Sequence, residues 1–179
     1  MTQIGTVYGQ ALYDLAKAES LSDEILRQLE VLREAFDREP DFLRLLAAPN
    51  LSKEERCGIL DDSFREKVHP YVLNFLKILT EKGYSRQFPN CAEAYREQYN
   101  LDNDILPVKA VTAISLTPEQ ARKLSEKLSA ITGKAVVLQN RVEPGILGGV
   151  RLDYDGKRLD DTVAHRLDAI RGMLSSTVL

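Results

Sequence analysis

The sequence predicts a mixed α+β fold, with a six-helix bundle over residues 1–105 and a small α/β domain over residues 106–179. Apolar residues recur at three- and four-residue steps in the first segment, as on one face of a helix. Short alternating runs typical of strands appear only in the second segment, where they form a short sheet with two helices. The net charge also changes sign near this boundary, although chance variation of surface charge explains that change equally well. Residues 1–106 hold 13 Lys and Arg against 19 Asp and Glu, and residues 107–179 hold 11 against 8.

The first three helices follow from apolar spacing and from start signals. Helix one ends near Ser20, and Ser22 is expected to cap helix two, because a serine hydroxyl can accept a free backbone N–H of the first turn. Pro40 fits the first turn of a short third helix that stops at Ala48-Pro49. The apolar positions are Ile4, Val7, Tyr8, Ala11, Leu12 and Leu15 in helix one, and Ile25, Leu29, Leu32 and Phe36 in helix two.

Helices four to six carry clearer terminal signals. Ser52 and Glu55 are spaced as a capping box, in which the hydroxyl and the carboxylate each bind a free backbone N–H. Pro70 begins helix five, and Gly83 is expected to end it in the left-handed conformation. A sixth helix is indicated by the spacing of Phe88, Ala92, Tyr95 and Tyr99.

Helices one and five are apolar over wide arcs, about 180° and more than about 200° at 100° per residue. One buried face does not account for arcs this wide. Either helix five is central and surrounded by its own bundle, or its second face forms a groove with helix one that receives an amphipathic helix of a partner. The pattern alone supports both alternatives.

The second segment alternates between strand and helix signals. Val108 to Ile114 form a first strand, and Thr117 caps a helix with Pro118 at its first position. Gly133 ends that helix, whose buried stripe is Ala121, Leu124, Leu128 and Ile131, and Ala135 to Leu138 begin the second strand. A glycine-rich segment then leads into a hairpin that turns at Asp155-Gly156. Asp160 or Asp161 is expected to cap a last helix with the apolar stripe Val163, Leu167, Ile170 and Leu174.

Signals for chemistry are few. His69 and His165 are far apart in sequence and lack the cysteines of a zinc site, so we expect no metal centre. The run Gly145–Gly149 does not end in the Lys-Ser/Thr of a nucleotide loop, so its glycines are expected to form a turn or bulge, and no catalytic or cofactor-binding residue is predicted. Cys57 and Cys91 lie in helical patterns and are expected to be reduced thiols. The cations Lys157, Arg158, Arg166 and Arg171 have acidic neighbours and no aromatic platform, which argues against nucleic-acid binding.

Five short motifs, in this order and spacing, resemble the delta subunit of F-type ATP synthases, a family homologous to the mitochondrial oligomycin-sensitivity-conferring protein. The likeness extends over nearly the whole chain, and the two-domain plan of that family agrees with the predicted bundle and α/β domain. The motifs are Tyr8–Ala16, Asn74–Gly83, Thr132–Lys134, Val142–Gly149 and Asp161–Arg171.

The resemblance implies a non-catalytic connector in the peripheral stalk of a rotary ATP synthase, with no cofactor. It implies that the groove between helices one and five receives the N-terminal helix of an alpha subunit of the catalytic head, and that the C-terminal domain holds the ends of the b subunits. The chain is then expected at the cytoplasmic side of a bacterial plasma membrane, or the equivalent face of another energy-transducing membrane, attached only through the complex. The residues expected to line the groove are Tyr8, Ala11, Leu12, Leu15, Asn74 and Ile78.

Three mild departures from the family pattern are present. Gly9 stands where the family usually has Ala, which weakens helix one by up to about 1 kcal/mol but also permits a closer approach of a partner. Glu143 replaces Asp, and Asp161-Thr162 replaces Gly-Ser. Two other classes of function stay open from sequence: a helical scaffold or regulator of another complex, and a small nucleic-acid-binding protein.

Overall fold

The computed structural model describes residues 2–48, 50–146 and 148–162, and the chain divides into two compact units, Met1–Tyr99 and Asn100–Leu179. The predicted combination of helices with a sheet is confirmed. The boundary predicted near residue 105 lies a few residues beyond this division. The helices of the first unit are α1 (Gln3–Ala18), α2 (Ser22–Arg38), α3 (Pro40–Leu46), α4 (Lys53–Phe64), α5 (Pro70–Glu81) and α6 (Phe88–Asp102), with a short 3-10 helix at Ser85–Gln87.

The elements of the second unit are β1 (Ile105–Thr112), α7 (Pro118–Thr132), β2 (Ala135–Val142), β3 (Gly149–Tyr154) and β4 (Lys157–Thr162). The strands form one sheet with the order β2-β1-β3-β4. Strands β1 and β2 are parallel and are connected through α7, whereas β1 with β3 and β3 with β4 are antiparallel pairs. One face of the sheet, with Val108, Ala110 and Leu152 buried, packs against Leu124 and Leu128 of α7.

Most of the predicted helix ends are confirmed. Ser52 accepts a hydrogen bond from the backbone N–H of Glu55 (3.1 Å), and the Glu55 carboxylate accepts one from the N–H of Ser52 (2.7 Å). Thr117 caps α7 in the same reciprocal way with Gln120. Gly83 and Gly133 take φ values of +76° and +71°, in the left-handed region that glycine adopts without strain.

Four predicted positions differ from the structure. Ser22 is the first residue of α2 rather than its cap, because Ser20 turns the chain at φ +59° and places Leu21 at the cap position. Strand β1 ends at Thr112, and Ile114 is 78% exposed. Ile131 is 80% exposed, so it does not belong to the face of α7 on which Leu124 and Leu128 pack against the sheet.

The fourth difference concerns the predicted cap of the last helix. Asp160 and Asp161 belong to β4, where they lie opposite Arg151 and Val150 of β3. The hairpin ladder therefore extends past the position at which the helix was expected to begin. Its turn is as predicted, since Asp155 and Gly156 both have positive φ values. The predicted stripe Val163, Leu167, Ile170 and Leu174 lies outside the described residues.

The helical unit has one apolar core to which all six helices contribute. Helix α5 supplies Val72, Leu73, Phe75, Leu76 and Leu79 to this core, so its central position explains most of its wide apolar arc. Tyr95 of α6 is fully buried; its ring contacts that of Tyr13, and its hydroxyl donates a hydrogen bond to the carbonyl of Ser22 (3.0 Å).

Helices α1 and α6 approach each other closely at two glycines. A Cβ atom on Gly9 would lie 2.4 Å from the carbonyl oxygen of Cys91 and 2.8 Å from Cβ of Ala94. A Cβ atom on Gly5 would lie 2.6 Å from Cβ of Asn90. All three distances are shorter than van der Waals contact, so only glycine fits at both positions without a shift of α6. Gly9 therefore serves a close approach within the chain rather than the approach of a separate partner.

The glycine-rich segment before β3 also serves a close backbone approach. Gly149 has φ +84°, and a Cβ atom there would lie 2.3 Å from the carbonyl oxygen of Asp161. Ile146 in this segment is buried, and Glu143 pairs with Arg151 of β3 at 3.3 Å. Gly149 therefore shapes the start of the hairpin, and Gly145 lies in a turn before it, as predicted for this segment.

Replacing Gly9 with alanine is expected to destabilise the helical unit by about 1–3 kcal/mol. The free-energy cost of overpacking against α6 exceeds the free energy gained from the higher helix propensity of alanine. Gly58 of α4 is the matched control, since a Cβ atom there meets open space. Gly58→Ala is expected to stabilise by up to about 1 kcal/mol. Urea unfolding followed by circular dichroism measures both, and equal stabilisation by the two substitutions would contradict the close approach of α1 and α6.

The ion pair between α4 and α5 predicts a pH dependence of stability. Lys77 Nζ lies 2.7 Å from Asp61 Oδ1, and the hydrogen bond from Lys77 lowers the pKa of Asp61. A lowered pKa in the folded state gives stability above the unfolded pKa of about 3.9 that is lost as the pH falls through the folded pKa. Asp61→Asn is therefore expected to reduce the free energy of unfolding at pH 7 and to have little effect in strong acid.

Unfolding by urea from pH 7 downward tests this expectation. Asp62→Asn is the control, since Asp62 is exposed on the same helix. The difference between the Asp61→Asn variant and the unmodified chain should shrink with falling pH, whereas the Asp62→Asn variant should show a small difference throughout. A constant loss for Asp61→Asn across this range would assign its effect to packing instead of charge.

Candidate partner-binding groove

The predicted groove residues of α1 occupy a stripe beside its buried face. Ala11 is exposed, Leu15 is 43% exposed and Tyr8 is partly buried. Their spacing of three and four residues aligns them along the helix. Leu12 is only 5% exposed and belongs to the core, so it can supply only the floor of a groove.

The predicted residues of α5 lie on the part of that helix left open by the core. Asn74 is exposed and Ile78 is 45% exposed, one turn apart on the same face. Phe75 and Leu79 beside them are buried. An exposed isoleucine beside an amide gives this face both apolar surface and a group that can donate and accept hydrogen bonds.

A ring contact connects α1 with the end of α5. The ring centroids of Tyr8 and Tyr84 are 6.0 Å apart, with an edge-to-face interplanar angle of 68°. Tyr84 follows Gly83, and its backbone N–H donates to the carbonyl of Leu79 (2.6 Å). This contact places the stripe of α1 next to the C-terminal end of α5.

Two residues of this surface are absent from the sequence-based set. Tyr84 carries a recognisable signal, because an apolar residue just after a helix-ending glycine commonly packs back on the helix. Val7 is 58% exposed and lies one turn before Ala11, so it extends the apolar surface of α1. Its spacing identifies it as an apolar helix position, but only the structure shows on which side it lies.

The neighbouring charges leave the centre of this surface apolar. Lys77 precedes Ile78 but is engaged with Asp61 of α4. Lys17, in the last turn of α1, lies with its Nζ 5.9 Å from the ring centroid of Tyr13. An apolar strip with charges at its margins suits an amphipathic helix better than a small polar ligand.

The titratable groups with the largest shifts lie in the core, away from this surface. Burial raises the pKa of the Cys91 thiol to about 11 and also raises the pKa of the Tyr95 hydroxyl. Burial and the nearby Glu81 carboxylate raise the pKa of Cys57. Both thiols therefore stay protonated at neutral pH, which is the opposite of activation as a nucleophile.

Two further findings concern metals and membranes. Within residues 2–48, 50–146 and 148–162, no group of three or more His, Cys, Asp or Glu side chains could hold a metal ion. His69 instead caps α5, where its Nδ1 accepts a hydrogen bond from the N–H of Tyr71 (3.3 Å). Among the helices of the same residues, none is long and apolar enough to span a bilayer.

Comparisons with known proteins agree across the full length. The chain is 30% identical over 172 residues to ATP synthase subunit delta of Alkaliphilus oremlandii, with 96% of each chain covered. It is 30% identical to the Clostridioides difficile subunit, covering 98% of this chain and 97% of the relative. It is 33% identical to the Lactobacillus delbrueckii subunit, covering 94% of this chain and 93% of the relative.

A solved structure shows the same fold. It is a chain of the mitochondrial ATP synthase hexamer of Toxoplasma gondii, with a TM-score of 0.75 and 21% identity, and the match covers 97% of this chain and 98% of that one. The family model described as "ATP synthase delta (OSCP) subunit" matches residues 4–174. From this match and the full-length relatives, we conclude that the chain belongs to the ATP synthase delta (OSCP) subunit family.

Proposed function

We propose that this chain ties the catalytic head of an F-type ATP synthase to its membrane-anchored stalk through two separate binding units. Subunits of this family are structural components of the peripheral stalk and do not catalyse the reaction. Residues 1–105 form a six-helix bundle that binds the head, and residues 106–179 bind the stalk. The chain then lies at the cytoplasmic face of a bacterial membrane, held there by other subunits.

The need for such a link follows from rotation. A rotor that turns inside the catalytic head exerts torque on it, and the head turns with the rotor unless a stator holds it. The link therefore has to withstand elastic load through the free energy of its two interfaces. Proton movement and ATP chemistry belong to other subunits.

We assign head binding to the groove between α1 and α5, with the N-terminal helix of an alpha subunit as its occupant. The observation that carries this assignment is the exposed apolar stripe on α1, beside an α5 that exposes Ile78. Apolar side chains at helical spacing recognise an amphipathic helix through its own apolar face. Asn74 can fix the register of that helix by a hydrogen bond, because its amide both donates and accepts.

Stalk binding is assigned to the α/β unit, with the ends of the b subunits as partners. The two units have separate apolar cores, so each can hold its own partner.

A charge placed in the groove should weaken head binding without unfolding the chain. Ala11→Asp and Ile78→Asp each put a carboxylate on an exposed position that the alpha-subunit helix would cover, and we expect each to reduce affinity at least about ten-fold. Isothermal titration calorimetry of the full chain with an alpha-subunit N-terminal peptide measures the change. Tyr8 is less suitable, because its ring contacts Tyr84.

Gln10→Asp provides the matched control. Gln10 is exposed on α1 but lies on a different side of the helix from the groove stripe. The Gln10→Asp substitution introduces the same charge into the same helix as Ala11→Asp, and it should leave the affinity for the alpha-subunit peptide nearly unchanged. Normal affinity of both groove variants, with an unaltered circular dichroism spectrum, would refute the groove assignment while leaving the family membership in place.

A further inference from the structure

Strand β2 forms one edge of the sheet, and most of that edge has no partner in the part of the chain that the structure describes. Its only strand partner among the described residues is β1. Along a strand, the backbone N–H and C=O groups of successive residues point alternately toward and away from the neighbouring strand. The N–H groups of Ala135 and Glu143 donate to carbonyls on the β1 side, of Asp104 (2.9 Å) and Thr112 (2.8 Å). The N–H and C=O groups of Val136, Leu138, Asn140 and Val142 therefore point away from β1.

Helix α7 covers only the first of these outward positions. The Ser129 hydroxyl accepts a hydrogen bond from the Val136 N–H (3.2 Å), and the Ser125 hydroxyl donates one to the Val136 carbonyl (2.9 Å). Over residues 2–48, 50–146 and 148–162, no backbone partner is recorded for Leu138, Asn140 or Val142 along this edge. Three successive outward pairs of donor and acceptor are sufficient to accept an added strand.

The side chains beside this edge are cationic and apolar. No Asp or Glu occurs between Glu126 and Glu143. Lys134 directly precedes β2 and Arg141 lies within it, and neither forms an ion pair with another of the described residues. Val137 and Val142 are 50% and 44% exposed. An acidic strand complements this charge, and alternating apolar residues on that strand would cover Val142, which lies on the face of the sheet opposite to Val137 and Arg141.

We propose that the open edge of β2 from Leu138 to Val142 binds an extended acidic segment of a partner protein as a fifth strand of the sheet. This interface is separate from the helix groove and goes beyond the proposed head and stalk contacts, since it names a binding mode that needs no helix. A second copy of the chain is a poorer occupant, because pairing two such edges would bring the same cationic set to both sides. The backbone supplies most of the affinity, and the cations select the partner by charge.

The test uses the full chain and fluorescein-labelled ten-residue peptides, measured by fluorescence anisotropy. The probe peptide alternates valine and glutamate. One comparison peptide alternates valine and lysine, and another keeps the acidic sequence but is N-methylated at alternate residues, which prevents strand pairing. We expect the acidic peptide to bind at least about ten-fold more tightly than either comparison peptide. Its binding should slow amide hydrogen exchange at Leu138, Asn140 and Val142.

A pair of variants localises the interface. Val142→Pro removes an outward N–H without removing a hydrogen bond to β1, and Val142→Thr keeps that N–H. The proline variant should lose most of the binding, whereas the threonine variant should retain it. Circular dichroism and amide exchange in the rest of the sheet show whether both variants are folded.

Four outcomes would overturn the proposal. One is the absence of binding by the acidic peptide, and another is equal binding of its N-methylated form, which would indicate charge attraction without strand addition. A third is protection of the edge amides in the free monomer, which would mean that residues 163–179 of the same chain cover the edge. The fourth is a concentration-dependent dimer in analytical ultracentrifugation that protects the same amides, which would assign the edge to a second copy.

Discussion

The close approach of α1 and α6 at Gly5 and Gly9 is the constraint on which the helical unit depends. Because two glycines four residues apart face α6, one side of α1 contacts it with backbone rather than side chains. This fixes the rotation of α1 about its axis. Once that side is buried, Ala11 and Leu15 face outward. A glycine that lowers intrinsic helix propensity thus determines which residues of the same helix are available to a partner.

The α/β unit uses glycine in a similar way, but for strands. Gly149 lets β3 start against the carbonyl of Asp161, and this contact extends the hairpin to Thr162. In both units, the backbone approaches closest where the side chain is absent, and the neighbouring apolar residues then complete the core. The two units have separate apolar cores, so a partner that binds one unit does not directly change the packing of the other core.

Sequence reasoning succeeds where the controlling interaction is local. The Ser52–Glu55 and Thr117–Gln120 caps, the left-handed Gly83 and Gly133, and the Asp155-Gly156 turn each depend on residues within a few positions of one another. It fails where contacts with distant parts of the chain determine the secondary structure or burial of a residue. Asp160 has a side chain suited to capping a helix, but its pairing with Arg151 of β3 places it in a strand. Leu12 and Ala11 are both apolar and adjacent, and only the position of α6 determines which is buried. The resemblance identifies the family, whereas the groove needs the geometry of Tyr8 and Tyr84.

The hydrogen bonds between the Ser125 and Ser129 hydroxyls and the backbone of Val136 also affect the risk of aggregation. An uncovered strand edge can template cross-β stacking, and native proteins limit this hazard by keeping such edges short and charged. Ser125 and Ser129 shorten the open part of β2 from its N-terminal side, and Arg141 lies within the part that remains. Helix α7 therefore limits the length of β2 with which a second chain could pair.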